Sequence, residues 1–381
     1  MRFSVLLPTR NGGAYLENCL RSVLEQNHSD FELVVSDNAN SDSTPNILRA
    51  FAGDTRLRVL RQEQLLPVHE NWTATVENSS GNYLLMMGDD DYLLPGTLAR
   101  LDETLKHHED PDCILFNGYS FVTPDVIDGS SSSYWAPYHF NYGRELSAEG
   151  VIECNERLSI VRDMFKFRQR IPLNMQTTLF SRSAAAAVPG GVFQPPFPDH
   201  FLLNALLISA KKWVFLPDRL VIVGMSPKSF GHFFYTQQSS NGLQYLGIST
   251  DFSSALPGNE LLNGMCVWLS HLKEIYGSEL VGIDVDRAGY LIRQMYYWLS
   301  QYIYSVTPWN QFVQRIRLLS FGDWISVMGA AARPQTFQRM VRTLSARRKT
   351  HAELLWHNLS PLSGPRDIHE FAQWLQRNHV A

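Results

Sequence analysis

Short apolar runs alternate with segments of helical periodicity through the first half of the chain, and this alternation sharply limits the folds that the chain can adopt. The apolar runs predict strands at 3–7, 31–35, 57–60, 83–87 and 113–116. Between them, apolar residues recur three and four positions apart, as in residues 14–26, which is typical of a helix with one buried face. Strands that are apolar on both faces and separated by helices indicate a mostly parallel sheet covered by helices. We therefore predict an α/β fold.

The loops after three of these strands are candidates for a binding site. In sheets of this kind, ligands bind in the crevice beyond the carboxyl ends of the strands. That rule places the loops 8–13, 37–44 and 88–94 near one another. Each loop is rich in polar residues, so the sequence predicts a polar site at this edge of the sheet.

Three adjacent aspartates follow the fourth strand, in the stretch LLMMGDDDYLLPG at residues 84–96. Adjacent carboxylates repel one another, and each resists losing water. Hard divalent cations such as Mg²⁺ bind carboxylate oxygens together with substrate phosphates, so a bound cation is one explanation. The other is a plain aspartate-rich turn. Because side chains alternate along an extended chain, the three carboxylates cannot all face the crevice.

The first two strands also end in polar residues. The first ends in Pro-Thr-Arg-Asn at 8–11, where proline stops the hydrogen-bond ladder and the next side chains can reach a ligand. The second ends at Asp37, whose carboxylate can accept a hydrogen bond from a nucleobase or a ribose hydroxyl. Asp42 is predicted to cap the following helix, with Pro45 in the first turn.

The residue composition and the spacing of apolar residues change in the second half of the chain. Residues 118–150 are rich in serine, glycine and aromatic residues, which indicates either a mobile loop over a ligand or a surface insertion. Strands are predicted again at 176–180, 213–216 and 220–223. From about residue 259 the apolar residues have helical spacing only. We therefore predict two parts, a sheet-containing domain at 1–258 and an α-helical region at 259–381.

Composition narrows the class of protein. Apolar residues make up 44% of the chain and charged residues 18%, with a net charge of −4, so nothing indicates nucleic-acid binding. The four cysteines have no metal-binding or redox spacing.

The amino-terminal apolar run is too short for a signal peptide, so the expected location is cytoplasmic. The stretch RRKTHAELLW near 347 allows peripheral contact with an anionic membrane, although a solvated helix is the alternative. The C-terminal aromatic stripes favour a core or a homo-oligomer contact.

Three stretches together carry a family resemblance: PTRNGGAYLENCLRSVLEQ, ELVVSDNANSDST and GNYLLMMGDDDYLLPGTLARL. They resemble the bacterial inverting family-two glycosyltransferases of GT-A fold in element order and motif spacing. The resemblance covers roughly residues 1–235. It departs from the family pattern at Gly88, where the first aspartate of the metal-binding Asp-x-Asp motif usually stands, and at 38–40, which replace Asp-Gly-Ser.

The resemblance implies roles for individual residues. Asp90 would be the principal ligand of Mg²⁺ or Mn²⁺, with Asp91 as a second metal ligand. Asp199 stands where the family has its general base, although an N-cap is the alternative. His200, Lys228 and His232 are candidates for contacts with the diphosphate or the acceptor. The predicted nucleotide- and donor-binding residues are Pro8, Thr9, Arg10, Asn11, Asp37, Asn40, Asn71 and Asp89.

The predicted activity is transfer of a sugar, with inversion, from a nucleoside-diphosphate sugar, expected to be a uridine diphosphate sugar, to a glycan or lipid-linked acceptor. Two alternatives stay open. A sugar nucleotidyltransferase shares the sheet and the metal chemistry, but it normally carries a glycine-rich basic loop of which RNGG is a poor version. A non-catalytic protein that binds nucleotide sugars in a polysaccharide-assembly complex is the other, and the intact Asp90 and Asp199 argue against it.

Overall fold

The computed structural model describes residues 1–126, 132–138, 148–168, 174–229, 243–244, 247–303, 306–331 and 359–380. Three sequence-based hypotheses fall wholly or partly outside these ranges: the role of His232, the basic stretch near 347, and part of the predicted loop at 118–150. No helix in the described ranges combines the length and apolar character needed to cross a membrane.

Strands and helices alternate through the first part of the chain, as predicted. The elements there are β1 (Phe3–Thr9), α1 (Leu16–Leu24), β2 (Phe31–Asp37), α2 (Thr44–Ala50), β3 (Leu57–Arg61), α3 (Val68–Glu77), β4 (Tyr83–Met86), β5 (Tyr92–Leu93), α4 (Thr97–His107) and β6 (Cys113–Val122). The next are β7 (Ser133–Tyr138), β8 (Gly150–Ile152), α5 (Cys154–Phe165), β9 (Thr178–Ser181), α6 (Arg182–Ala186), α7 (Pro198–Ser209) and β10 (Trp213–Met225). The last are α8 (Glu260–Ile275), α9 (Arg287–Ile303), α10 (Trp309–Arg317), α11 (Phe321–Ala331), β11 (Ser360–Leu362) and α12 (Ile368–Arg377).

One sheet contains all of these strands. Its main path runs β11-β7-β6-β9-β4-β1-β2-β3, and β10 pairs with β5, β6 and β8. The block β4-β1-β2-β3 is parallel, and β10 runs parallel to β6. The register places Thr9 opposite Asp37, so two of the predicted site residues end adjacent strands. The predicted α/β fold with a central, mostly parallel sheet is confirmed.

Apolar side chains on both faces of the central strands form two separate clusters. Val5 and Leu7 of β1 belong to a cluster shared with α1 and α4. Leu6 between them belongs to a second cluster shared with α3, α5 and α7. Because both faces are covered by helices, polar groups of the site are confined to the strand ends.

Two details differ from the sequence-based prediction. The strands expected at 213–216 and 220–223 are one strand, β10, whose register against β6 shifts between Leu216 and Val221. A bulge there accommodates Pro217, which has no N–H for the ladder. The second difference is that residues 133–138, expected in a loop, form β7 against β6. Aromatic residues such as Tyr134 and Trp135 suit a strand once a partner is present.

The C-terminal helices pack onto the sheet domain. Trp268 of α8 and Trp298 of α9 are fully buried in the same cluster as Phe201 of α7. In α9, Tyr290 donates a hydrogen bond to Asn263 Oδ1 at 2.7 Å, so the helices are joined by a buried polar contact as well. The boundary predicted at residue 258 stays a prediction.

Residues 359–380, here called the return segment, lie back against the sheet. Its strand β11 pairs with β7, and Phe371 of α12 stacks on Phe121 of β6 with ring centroids 4.7 Å apart. The sequence predicted only helices after residue 259. A three-residue strand has no detectable periodicity, because its conformation is fixed by its partner strand.

Candidate functional site

The candidate site lies at the carboxyl ends of β1, β2 and β4. Leu6 pairs with Met86, so β4 ends beside β1 and leads directly into the aspartate turn at 88–91. The amide of Asn38 donates to the carbonyl oxygen of Thr9 at 3.2 Å, which holds the loops after β1 and β2 together. The three loops predicted to meet therefore do meet.

Asp89 is bonded to the end of β1. The hydroxyl of Thr9 donates to Asp89 Oδ2 at 2.6 Å. Gly12 is packed so tightly against this carboxylate that a Cβ atom there would lie 2.0 Å from Asp89 Oδ2. Only a glycine fits beside Asp89, a constraint that the sequence signalled only as the pair Gly12-Gly13.

Asp90 is bonded to the segment that follows β10. Its Oδ2 atom accepts the backbone N–H of Ser226 at 3.2 Å and the hydroxyl of Ser229. The segment passes very close to the turn, since a Cβ atom on Gly224 would lie 1.8 Å from the carbonyl oxygen of Asp90. The sequence gave no signal for Ser226, which is more than one hundred residues away along the chain.

Asp91 is turned inward and is only 1% exposed. Its Oδ2 accepts the N–H of Gly88 at 2.5 Å, and its Oδ1 accepts the N–H of Gly224 at 2.9 Å. Metal binding by Asp91 stays a prediction, and these contacts favour a role in shaping the turn. The three carboxylates thus have different partners, and Asp91 is turned away from solvent.

Burial raises the pKa of all three carboxyl groups. The pKa of Asp89 is raised to about 7 and that of Asp91 to about 8, chiefly by loss of solvent and then by the charge of Asp90. For Asp90, burial outweighs the hydrogen bonds from Ser229 and Ser226, and its pKa is also raised. A nearby cation would favour the ionised forms, so the arrangement is suited to receive positive charge.

Asp37 is buried at the end of β2, with 2% of its surface exposed. Its Oδ2 atom lies 2.6 Å from Arg61 Nη1, and its Oδ1 atom accepts the N–H of Asn40 at 3.2 Å. The Asn40 side chain in turn accepts the N–H of Asn11 at 2.6 Å. Arg61, which the sequence did not single out, thus holds the predicted base-contacting carboxylate.

Asn40 and Asn71 each carry a buried polar atom without a partner among the described residues. These atoms are Asn40 Nδ2 and Asn71 Oδ1, and both side chains are 3–4% exposed. Buried polar groups are normally hydrogen-bonded, so each such atom calls for an explanation. A bound ligand is one explanation that agrees with the predicted donor-binding roles.

Lys228 brings a positive charge to the loop after β1. Its ammonium group donates to the carbonyl oxygen of Asn11 and lies 3.8 Å from Asp42 Oδ2. Asp42 also accepts the N–H groups of Gly13 and Thr44, so it stabilises the start of α2 as predicted for a cap, although Ser43 is the N-cap residue.

Pro8 and Arg10 flank Thr9 at the end of β1. Pro8 lies opposite Ser36 in the parallel register and is half-buried, as is Arg10. Their predicted contacts with a donor stay predictions.

Asp199 lies in the first turn of α7, which begins at Pro198. Its Oδ1 atom accepts the N–H of His200 at 2.8 Å, and its Oδ2 atom lies 3.9 Å from His200 Nε2. The helix dipole favours an ionised carboxylate at this position. His200 is packed against Phe197 and Trp268 with its side chain 12% exposed, and its contact with the diphosphate or the acceptor stays a prediction.

A second group of possible metal ligands, His107, His108 and Glu149, lies elsewhere. Their ligand atoms are within 4.8 Å of one another. Glu149 is already bonded to Arg100 at 2.6 Å and to His108 at 3.0 Å, so the group forms an ion-pair network that ties α4 to the segment before β8.

Comparison with known proteins agrees with this geometry. Residues 4–167 match the family model described as Glycosyl transferase family 2. The predicted resemblance to this family is therefore confirmed for residues 4–167, and the predicted α/β fold class is confirmed by the sheet itself.

Individual relatives match only part of their own length or of this chain. A PGL/p-HBAD biosynthesis glycosyltransferase of Mycobacterium bovis is 31% identical over 165 residues, which are 43% of this chain and 60% of that protein. This match thus spans less than two thirds of that relative. Glycosyltransferase GlyG of Streptococcus pneumoniae is 27% identical, covering 58% of this chain and 69% of that protein. The crystal structure of S. aureus TarS 1-349 in complex with UDP-GlcNAc has a TM-score of 0.49 and 16% identity, covering 76% of this chain and 86% of that one.

Proposed function

We propose that this protein is a glycosyltransferase that transfers a sugar from a nucleoside-diphosphate sugar to a hydroxyl group of a glycan or lipid-linked acceptor. The observation that carries the proposal is the meeting of Thr9, Asp89 and Asp90 at the ends of β1 and β4, within a family 2 domain. The predicted uridine diphosphate donor, divalent cation and inverting mechanism are parts of the same proposal.

The donor would lie across the ends of β1 and β2. Asp37 is the candidate contact for the base or the ribose, and the buried amide of Asn40 with its unpartnered nitrogen lies beside it. Lys228 is near enough to Asp89 to lower the pKa of that carboxyl, so its ammonium group can attract the diphosphate to the aspartate turn.

Asp89 and Asp90 are the proposed ligands of Mg²⁺ or Mn²⁺. Carboxylate oxygens are hard donors that suit these ions, and a bound cation would favour the ionised forms of both groups, whose pKa is raised by burial. When bound, such an ion would neutralise charge that develops on the departing diphosphate. The turn itself contributes position, because Thr9 and Ser226 fix the two side chains from opposite sides.

Asp199 is the proposed general base. The acceptor oxygen forms a bond to the anomeric carbon as the bond from that carbon to the diphosphate breaks on the opposite side, which inverts the configuration. The hydroxyl proton passes to Asp199 Oδ2, since Oδ1 accepts the N–H of His200. Proton transfer to a positioned carboxylate is typically worth about 10²–10⁴-fold in rate.

The test measures release of uridine diphosphate from several UDP-sugars, with and without EDTA. Asp199→Asn is expected to lower kcat about 10²–10⁴-fold with little change in donor KM. The matched control is Asp251→Asn, because Asp251 is exposed and its hydrogen bond comes from Ser249 two residues away. Turnover that ignores both EDTA and Asp199→Asn would overturn the mechanism. Release of pyrophosphate from UTP and a sugar phosphate would instead identify a nucleotidyltransferase. Binding of a nucleotide sugar without turnover would identify a non-catalytic scaffold protein.

We also propose that α10 and α11 provide the contact for self-association or peripheral membrane binding. Trp309, Phe321 and Met328 are 59%, 83% and 64% exposed, respectively. Large apolar side chains grouped on a surface mark contact sites. Phe321→Ser is expected to shift either the sedimentation coefficient or the fraction bound to anionic vesicles. No change in either measurement would remove this part of the proposal, including the inner membrane surface as the location.

A further inference from the structure

A cavity lies between the start of α1, the ends of β6 and β10, and the return segment. Its volume is about 240 Å³. Sites for drug-sized ligands measure roughly 300–1,000 Å³, so this one suits a single sugar ring rather than a nucleotide. Asp90 is one of its lining residues, which places the cavity directly beside the proposed metal turn.

The lining offers both the hydrogen-bond donors and the acceptors that sugar hydroxyls need. Asp90, Asp125 and the hydroxyl oxygen of Tyr15 supply acceptors, and Arg366 supplies N–H donors. Tyr15 donates to Asp125 Oδ2 at 2.7 Å, and burial together with that carboxylate raises the pKa of Tyr15, so its hydroxyl stays protonated. The exposed guanidinium of Arg366 has no hydrogen-bond partner among the described residues. Such alternating donors and acceptors match a polyhydroxyl ring.

The charge of the lining argues against an anionic ligand. Three carboxylates, those of Asp90, Asp125 and Asp367, face one cationic side chain, Arg366. A phosphate or carboxylate ligand would be repelled by this set. Pro124 and Met225 add apolar surface on which the C–H face of a sugar ring can pack. The ligand indicated is therefore neutral and rich in hydroxyl groups.

The position of Arg366 in the chain favours the acceptor over the donor as the source of this sugar. The residues proposed above to hold the nucleotide, Asp37, Asn40 and Asn71, do not line this cavity. Arg366 comes from the return segment, outside the residues 4–167 that match the family model. A sugar bound here is therefore assigned to the acceptor.

We propose that this cavity binds one neutral sugar unit of the acceptor and that Arg366 and Tyr15 select it. The proposal rests on the glycosyl transfer proposed above. It makes the return segment part of the binding site, because without residues 366–368 the cavity loses one wall.

The test uses the full chain with UDP and Mn²⁺ and a panel of methyl glycosides of hexoses, N-acetylhexosamines and 6-deoxyhexoses, observed by saturation-transfer NMR. At least one glycoside is expected to bind, and Arg366→Ala is expected to weaken it about tenfold or more, as for loss of a hydrogen bond to a charged group. Tyr15→Phe should weaken the same glycoside. The matched control is Arg377→Ala, since Arg377 lies on α12 and its described hydrogen bonds stay within that helix.

Three outcomes would overturn the proposal: no glycoside binds the wild type, Arg366→Ala binds as the wild type does, or UDP-glucose displaces the glycoside where UDP does not. The last result would place the donor sugar in the cavity. Binding of UDP-sugar to the wild type is measured separately by calorimetry. Its absence would refute the proposed function, whereas its presence with a negative glycoside result would refute only the acceptor site.

Discussion

A single methyl group added at Gly12 is expected to disable the candidate site without removing any of its carboxylates. The new Cβ atom would lie 2.0 Å from Asp89 Oδ2, whereas ordinary contact begins at 3.4 Å, so the carboxylate must move by about 1.4 Å. Rotation of the carboxylate does not relieve the overlap, because Asp89 Cβ is also only 2.7 Å away. The hydrogen bond from Thr9, now 2.6 Å, is broken by such a movement.

Misplacement of a reacting group by about 1 Å can cost about 10²-fold in rate. We therefore expect Gly12→Ala to lower kcat/KM for a UDP-sugar about 100-fold, which corresponds to about 2.7 kcal/mol of transition-state stabilisation. Overpacking should also cost about 1–3 kcal/mol of stability, visible in thermal melting. The matched control is Gly53→Ala, because nothing lies within 4 Å of a Cβ atom there. Donor turnover within threefold of the wild type in a folded Gly12→Ala protein would refute the assignment of Asp89 to the site.

Three further predictions concern other residues. Asp90→Ala should abolish Mn²⁺-dependent UDP-sugar binding in calorimetry, whereas His108→Ala should leave it unchanged because the histidine cluster is a structural ion-pair network; the reverse result would move the metal site. Asp37→Ala should weaken UDP binding about tenfold or more without changing Mn²⁺ affinity, and equal effects on both would show that Asp37 acts only through the fold. Glu32→Gln should lower the melting temperature by a few degrees at pH 7. Burial tends to raise the pKa of Glu32, but hydrogen bonds from two serine hydroxyls and two backbone amides outweigh it and lower the pKa. The stabilisation is therefore present above the ordinary value of 4.5 and is lost as the pH falls below it, so the two melting curves should converge in acid.

The sequence predicted the sheet well because local patterns determine it. Strands that are apolar on both faces, such as β1 and β2, can only be central strands of a covered sheet. Once they are placed, the meeting of Thr9 with Asp37 follows from the parallel register alone. The contacts that complete the site are not determined by local sequence patterns. Arg61 reaches Asp37 from the end of β3, and no local pattern distinguishes it from any other exposed arginine.

Long-range contacts account for what sequence patterns missed. The environment of His200 is one example, since no local pattern indicates that this histidine is largely buried. Its burial depends on Trp268, which comes from a helix 60 residues further on. The return segment is a similar case, since β11 is a strand only because β7 supplies its partner. Periodicity within a segment cannot report a surface that another segment provides.

The three carboxylates of the aspartate turn also hold distant parts of the chain together. Each is bonded to a different part of the chain: Asp89 to Thr9 of β1, Asp90 to Ser226 after β10, and Asp91 to Gly224 within β10. The turn therefore joins the first strand of the sheet to its last long strand. Neutral side chains could make the same hydrogen bonds. Burial raises the pKa of all three carboxyl groups. Their ionised forms therefore destabilise the fold when no cation is present. Positive charge would stabilise this arrangement, which supports the proposed cation site.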